Sequence, residues 1–182
     1  VLSEAIESSG LDKALVLAQD AVYDPQGKPL WEKTHFYIPN DYVLSVAARH
    51  PKRMVPCVAI NPQRADAIEE LDRCAAKGAR VLKIHPTQGV DLAEKRYLKF
   101  FRRCAELKTI VMVHTGHEHS APIESALLAS PLKLAQALEE GCTVIACHCG
   151  TGWPTDRPDM LPDFLAMIRK YENLWGDTSV LG

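Results

Sequence analysis

Three histidines in this sequence close apolar, strand-like runs, and a lysine and an aspartate stand at equivalent places. Lys83 and His85 end Val-Leu-Lys-Ile-His-Pro (81–86), and His114 ends Val-Met-Val-His-Thr-Gly (111–116). His148 ends Ile-Ala-Cys-His-Cys-Gly (145–150), and Asp177 ends Leu-Trp-Gly-Asp-Thr-Ser (174–179). An ionisable side chain in a buried strand is costly unless it is paired or bound. Imidazole is a good ligand for divalent metals, and histidine and carboxylate donors with one open position make a hydrolytic zinc site. An unligated histidine beside such a site can move the proton.

Each residue also has a plainer reading. A strand-end histidine such as His85 can be a hydrogen-bonded structural residue. Lys83 can snorkel to the surface, although its parity with His85 puts both on one face. Asp177 can cap a turn before Thr178 and Ser179. His117 and His119 fall in a loop where solvation suffices. Trp153, just beyond His148, can pack or touch substrate. His35 and His50 sit in a connection and at a helix end and are read as structural. The pair His114 and His148, on neighbouring strand ends, carries most of the functional signal.

Residues distant in the chain meet only if parallel strands bring their C-terminal ends to one rim. The strand-like runs are 14–18, 55–60, 80–85, 109–114, 143–148 and 173–177. They are short and apolar throughout, as suits parallel strands buried on both faces. Helical segments alternate with them. Asn40 is placed to cap a helix ending near Pro51. Ile68, Leu71 and Cys74 form one stripe, and Asp91 with Glu94 has capping-box spacing ahead of Tyr97 and Phe101. Ser130-Pro131 opens a helix, and Phe164, Leu165, Ile168 and Tyr171 mark the last. Six β/α units fit either a barrel or a doubly wound open sheet. No glycine-rich phosphate-binding turn follows any strand, which removes the nucleotide-binding readings of the open sheet. Eight units need about 250 residues, so the expectation is an α/β chain holding strands 2 to 7 of a (β/α)₈ barrel. One partial domain would then span 1–182, short of a unit at each end. The long connections, 20–39 and 115–129, come where a barrel carries its active-site loops.

The composition is that of a globular domain: 182 residues, 47% hydrophobic and 24% charged, with a formal net charge of −2. No basic stripe favours nucleic acid, and no apolar run approaches membrane-spanning length. A small-molecule substrate and a cytoplasmic location are the expectations. The six cysteines (57, 74, 104, 142, 147 and 149) include no Cys-x-x-Cys pair and read as reduced, buried hydrophobes. Neighbouring side chains of a strand point to opposite faces, so His148 cannot easily share a metal with Cys147 or Cys149, which argues against a structural Cys/His zinc.

The stretches VLKIHP, VMVHTG, IACHCGTGWP (145–154) and NLWGDTS (173–179) resemble the amidohydrolase superfamily. The likeness is to its branch of metal-dependent hydrolases and non-oxidative decarboxylases, which includes aminocarboxymuconate-semialdehyde decarboxylase. The resemblance implies a distorted (β/α)₈ barrel with a divalent ion, usually zinc, at its C-terminal rim. It makes His114 the metal ligand of the fifth barrel strand and His148, on the sixth, the acid/base. Lys83 and His85 fall where the fourth strand contributes; in other branches a carboxylated lysine there bridges two metals. His117 and Trp153 would then join Lys83 and His85 around the substrate. Such enzymes also carry a His-x-His pair on the first strand and an aspartate on the eighth. Neither is present, and the single His-x-His spacing, His117 to His119, follows the fifth barrel strand instead. The implied activity is hydrolysis of a C–N or C–O bond in a small carboxylate-bearing molecule. The alternatives are decarboxylation of a related acid at the same site, or a non-catalytic module derived from such a barrel. A homo-oligomer is expected because relatives commonly form one.

Overall fold

The computed structural model describes residues 2–117, 124–151 and 159–179. Six strands form one sheet: β1 (Ala14–Leu17), β2 (Met54–Ala59), β3 (Val81–Ile84), β4 (Ile110–His114), β5 (Val144–Cys147) and β6 (Leu174–Gly176). Every neighbouring pair is parallel, and the spatial order is the chain order, β1 to β6. A doubly wound sheet must reverse its strand order at a switch point. None occurs here, so the sheet is the wall of a (β/α) barrel. No pairing joins β1 to β6 among the described residues, and the wall stays an open arc.

Among the described residues six α-helices accompany the strands: α1 (Leu2–Ser8), α2 (Asn40–Arg49), α3 (Ala67–Ala76), α4 (Leu98–Glu106), α5 (Ala135–Glu139) and α6 (Leu161–Lys170). Strand parity decides what they cover. One register row runs Val58, Leu82, Val111, Val144, Leu174 and the next Ile84, Val113, Ala146, Gly176. The hydrophobic members of both rows are buried in the main core with Leu71 and Cys74 of α3, Phe101 and Cys104 of α4, Leu138 of α5 and Phe164 of α6. Fully burying a side chain such as Phe101 is worth about 1.5–3 kcal/mol. The opposite parity, the row Ala59, Lys83, Met112, Ile145, Trp175, faces the concave side of the arc. There Lys83, Met112 and Ile145 are half-buried and Trp175 is 61% exposed.

Three local expectations are corrected. Asn40 does not cap α2: Pro39 holds that position, and the Asn40 side chain turns inward. It bonds both backbone groups of Ala59 and the Glu70 carboxylate, because a buried amide finds more partners there than at an exposed helix end. Asp91 and Glu94 make no capping box. A short 3₁₀ turn, Lys95–Tyr97, precedes α4, and Asp91 instead accepts from the Ala93 N–H and Lys133. On α6 the buried residues are Phe164 and Met167, whereas Leu165 and Ile168 are each 39% exposed. All six cysteines are free and buried. Among the described residues no helix is long and apolar enough to cross a membrane.

Candidate active site at the strand ends

The C-terminal ends of β3, β4 and β5 bring three imidazoles into contact. The ring of His85, one residue past β3, stacks on that of His114 with centroids 4.4 Å apart and planes at 16°. His114, the last residue of β4, meets His148 edge to face at 5.1 Å and 66°. His114 is 4% exposed. His85 is tied at Nδ1 to the buried Thr87 hydroxyl, 3.0 Å away. Lys83, lower on β3, donates from Nζ to Cys147 Sγ at 2.8 Å, spanning β4 to reach the end of β5.

The β5 end departs from strand geometry. The strand stops at Cys147, and His148–Gly150 make a 3₁₀ turn with φ of +65° at His148 and +51° at Cys149. Strand parity therefore does not set the direction of His148. A network does. The His148 backbone N–H donates to Asp177 Oδ1 at 3.0 Å, and its Nδ1 lies 2.7 Å from Ser179 Oγ. Ser179 in turn is bound to Asp177 Oδ1 through both its hydroxyl and its backbone N–H. Burial pushes the Asp177 carboxyl up, but the hydrogen bonds from Ser179, His148 and Cys147 outweigh it and hold the group below its ordinary range. Asp177 thus does cap the turn before Ser179, and through it anchors His148. On β4, Thr115 Oγ1 donates to the Cys147 carbonyl at 2.6 Å and accepts the Gly150 N–H at 2.9 Å, locking the two rims together.

His117 is buried, three residues past His114. His119 and Trp153 lie outside the described residues. Sequence reasoning passed over the ends of β1 and β2. Asp20, 8% exposed, accepts the backbone N–H groups of Ala21 and Asn61, the Tyr23 hydroxyl and one Arg64 nitrogen. Burial and the Asp20 charge push the Tyr23 phenol far above its usual pKa. A small cleft joins Asp20 and Asn61 to Lys83, His85 and Gln88. Asp20 stands two residues past the apolar run 14–18, so a rule that picks the residues ending such runs does not reach it. A larger cleft of about 330 Å³ opens on the far side of Asp20. Its charged walls are already satisfied, Arg64 by Asp20 and Asp66 and Arg73 by Glu70 and Asp41.

These residues do not by themselves fit a divalent ion. Stacked rings direct their in-plane nitrogen lone pairs along parallel planes and not toward one point. Among the described residues no group of three His, Cys, Asp or Glu side chains is placed to hold a metal. His114 offers at most one donor of a set.

A model of the family described as amidohydrolase matches residues 14–182. No curated protein matches the sequence significantly. Among solved structures, the chain is similar to an uncharacterised TIM-barrel protein from Bordetella bronchiseptica. The two share 15% identity with a TM-score of 0.73, over 97% of this chain and 58% of that one. It is also similar to a probable 2-pyrone-4,6-dicarboxylic acid hydrolase from Acinetobacter baumannii with citric acid bound, at 16% identity and a TM-score of 0.64, again over 97% and 58%. A third is 5-carboxyvanillate decarboxylase from Novosphingobium aromaticivorans, solved with manganese and a nitrobenzoic acid, at 18% identity and a TM-score of 0.54 over 94% and 56%. At such identities the likeness is one of fold. This chain spans 58% of the length of the first two.

Proposed function

This chain belongs to the amidohydrolase family, and from that premise we propose that it carries the His114–His148 side of a metal-dependent hydrolase active site. The substrate is a small carboxylate-bearing molecule, and the bond cleaved is C–N or C–O. The observation that carries this reading is the contact of His85, His114 and His148 at the ends of three consecutive parallel strands. That rim is where barrels of this kind place their reacting groups.

His114 is assigned as one donor to a divalent ion, zinc being the usual choice in the superfamily, with the other donors beyond the described residues. When bound, such an ion would supply Lewis-acid chemistry to the substrate. His148 is the acid/base: Ser179 engages Nδ1, so proton exchange with substrate falls to Nε2. Lys83 and His85 bind the substrate carboxylate by charge and hydrogen bonding, and His117 and Trp153 complete its surroundings. The likeness to the carboxyvanillate decarboxylase supports a second reading, in which the same His148 hands a proton to carbon as CO₂ leaves.

The test uses the complete protein with pyrone and aromatic carboxylic acids, following CO₂ release and incorporation of labelled water. Incorporation of labelled water oxygen without CO₂ supports hydrolysis, and CO₂ release with only solvent hydrogen incorporated selects the decarboxylase. His114→Ala should lose bound metal and at least about 100-fold in turnover. His148→Gln should keep the metal and lose about 10²- to 10⁴-fold. Metal content and turnover unchanged in both variants would establish a non-catalytic module.

A further inference from the structure

The Lys83–Cys147 contact is unusual on its own terms. Among the described residues Lys83 Nζ pairs with no carboxylate; its hydrogen-bond partner there is the Cys147 sulfur at 2.8 Å. The two residues stand on β3 and β5, with β4 between them. Cys147 is 1% exposed, and Lys83 beside it is half-buried and lines the small cleft at the ends of β1 to β3. We propose that Lys83 and Cys147 form an oxidative modification site, in which a peroxide drives a reversible covalent bond between Nζ and Sγ.

The chemistry balances in two steps. The sulfur attacks one oxygen of hydrogen peroxide, the O–O bond breaks, and the thiol becomes a sulfenic acid as water leaves. The sulfur is oxidised and the peroxide reduced. The uncharged Lys83 amine, having given its extra proton to solvent, then attacks the sulfur. The N–S bond forms, the S–O bond breaks, and the departing oxygen takes the amine proton as a second water. Sulfenic acids condense with backbone nitrogen in the same way; here a side-chain nitrogen already sits within contact distance. Burial raises the Cys147 thiol above its ordinary pKa and Asp177 raises it further, while the Lys83 charge and hydrogen bond act against them; what the bond requires of Lys83 is the closeness of Nζ to the sulfur. Cys57 shares the concave face, but burial pushes its thiol up to about 12. The bond would pin β3 to β5 and withdraw the Lys83 charge from the rim. Its formation is independent of which reaction the site performs.

The test is peptide mass spectrometry after exposing the purified protein to hydrogen peroxide and blocking residual thiols. The expected product is a linked pair of peptides containing residues 83 and 147, lighter than their sum by two hydrogens and separated again by dithiothreitol. The link should be lost in Cys147→Ser and in Lys83→Arg. The arginine variant keeps a cation against the sulfur and lacks the nucleophilic amine, so it tests the bond without removing the contact. Recovery of Cys147 as a trappable sulfenic acid with Lys83 unmodified would overturn the proposal. So would a Cys57–Cys147 disulfide, or an intact Cys147 under conditions that oxidise the neighbouring Met112.

Discussion

His148 and Cys149 hold left-handed backbone conformations that cost a non-glycine residue about 1–3 kcal/mol each. What holds them there is the Asp177–Ser179 network on one side and the Thr115 bridge on the other. Gly116 closes the same turn pair. Its φ is +88°, and a Cβ placed on it would stand 1.9 Å from the Thr151 carbonyl oxygen, a backbone atom that cannot step aside. Gly116→Ala should therefore cost at least about 2 kcal/mol, seen as a lower urea midpoint at unchanged slope. A midpoint equal to wild type would mean that the loops after β4 and β5 are not packed as described. The same variant should disturb His148, since Thr151 bonds its carbonyl.

At the scale of elements, α2, β2 and α3 are joined by Asn40 and Glu70. Asn40 spends its amide on Ala59 and Glu70, and Arg73 closes on Glu70 through two nitrogens. Burial tends to raise the Glu70 carboxyl, but the hydrogen bonds from Arg73 and Asn40 prevail and lower it. A carboxyl lowered in the folded state adds stability above its unfolded pKa and loses it as pH falls through the folded value. Stability should thus decline as the pH drops below about 4.3, the ordinary range for glutamate. Glu70→Gln should flatten that part of the curve, measured as urea midpoints from about pH 7 down to about pH 3. An unaltered acid limb would show that other carboxylates dominate it.

For the molecule as a whole, the open arc has two consequences. The concave face that bears Lys83 also leaves Trp175 61% exposed, and on β1 Leu15 and Leu17 are 37% and 42% exposed. Among the described residues the edges of β1 and β6 that flank it pair with no other strand. Apolar strands with free edges invite pairing with another chain. The 182-residue chain on its own should self-associate with rising concentration, and Leu15→Lys with Leu17→Lys should reduce that in light scattering. Concentration-independent monomers of the unsubstituted chain would contradict it.

Much of this was legible in the chain alone. Apolar run lengths located all six strands, because a strand buried on both faces needs a continuous apolar stretch, and polar residues ending those runs marked His85, His114 and His148. The doubly wound alternative survived that reading, since hydrophobic pattern carries no information on which strands lie side by side. Only the pairing order removed it. Local rules failed where a tertiary partner outbid them: Asn40 left its cap for Ala59 and Glu70, and Asp91 left its capping box for Lys133. Parity failed at His148 because the strand ends one residue earlier, in a left-handed turn that no composition rule assigns to histidine and cysteine. The Lys83–Cys147 contact and the Asp20 hub were invisible for a related reason. Each joins residues 40 or more positions apart, and such distances close only when parallel strands bring their ends to a common rim.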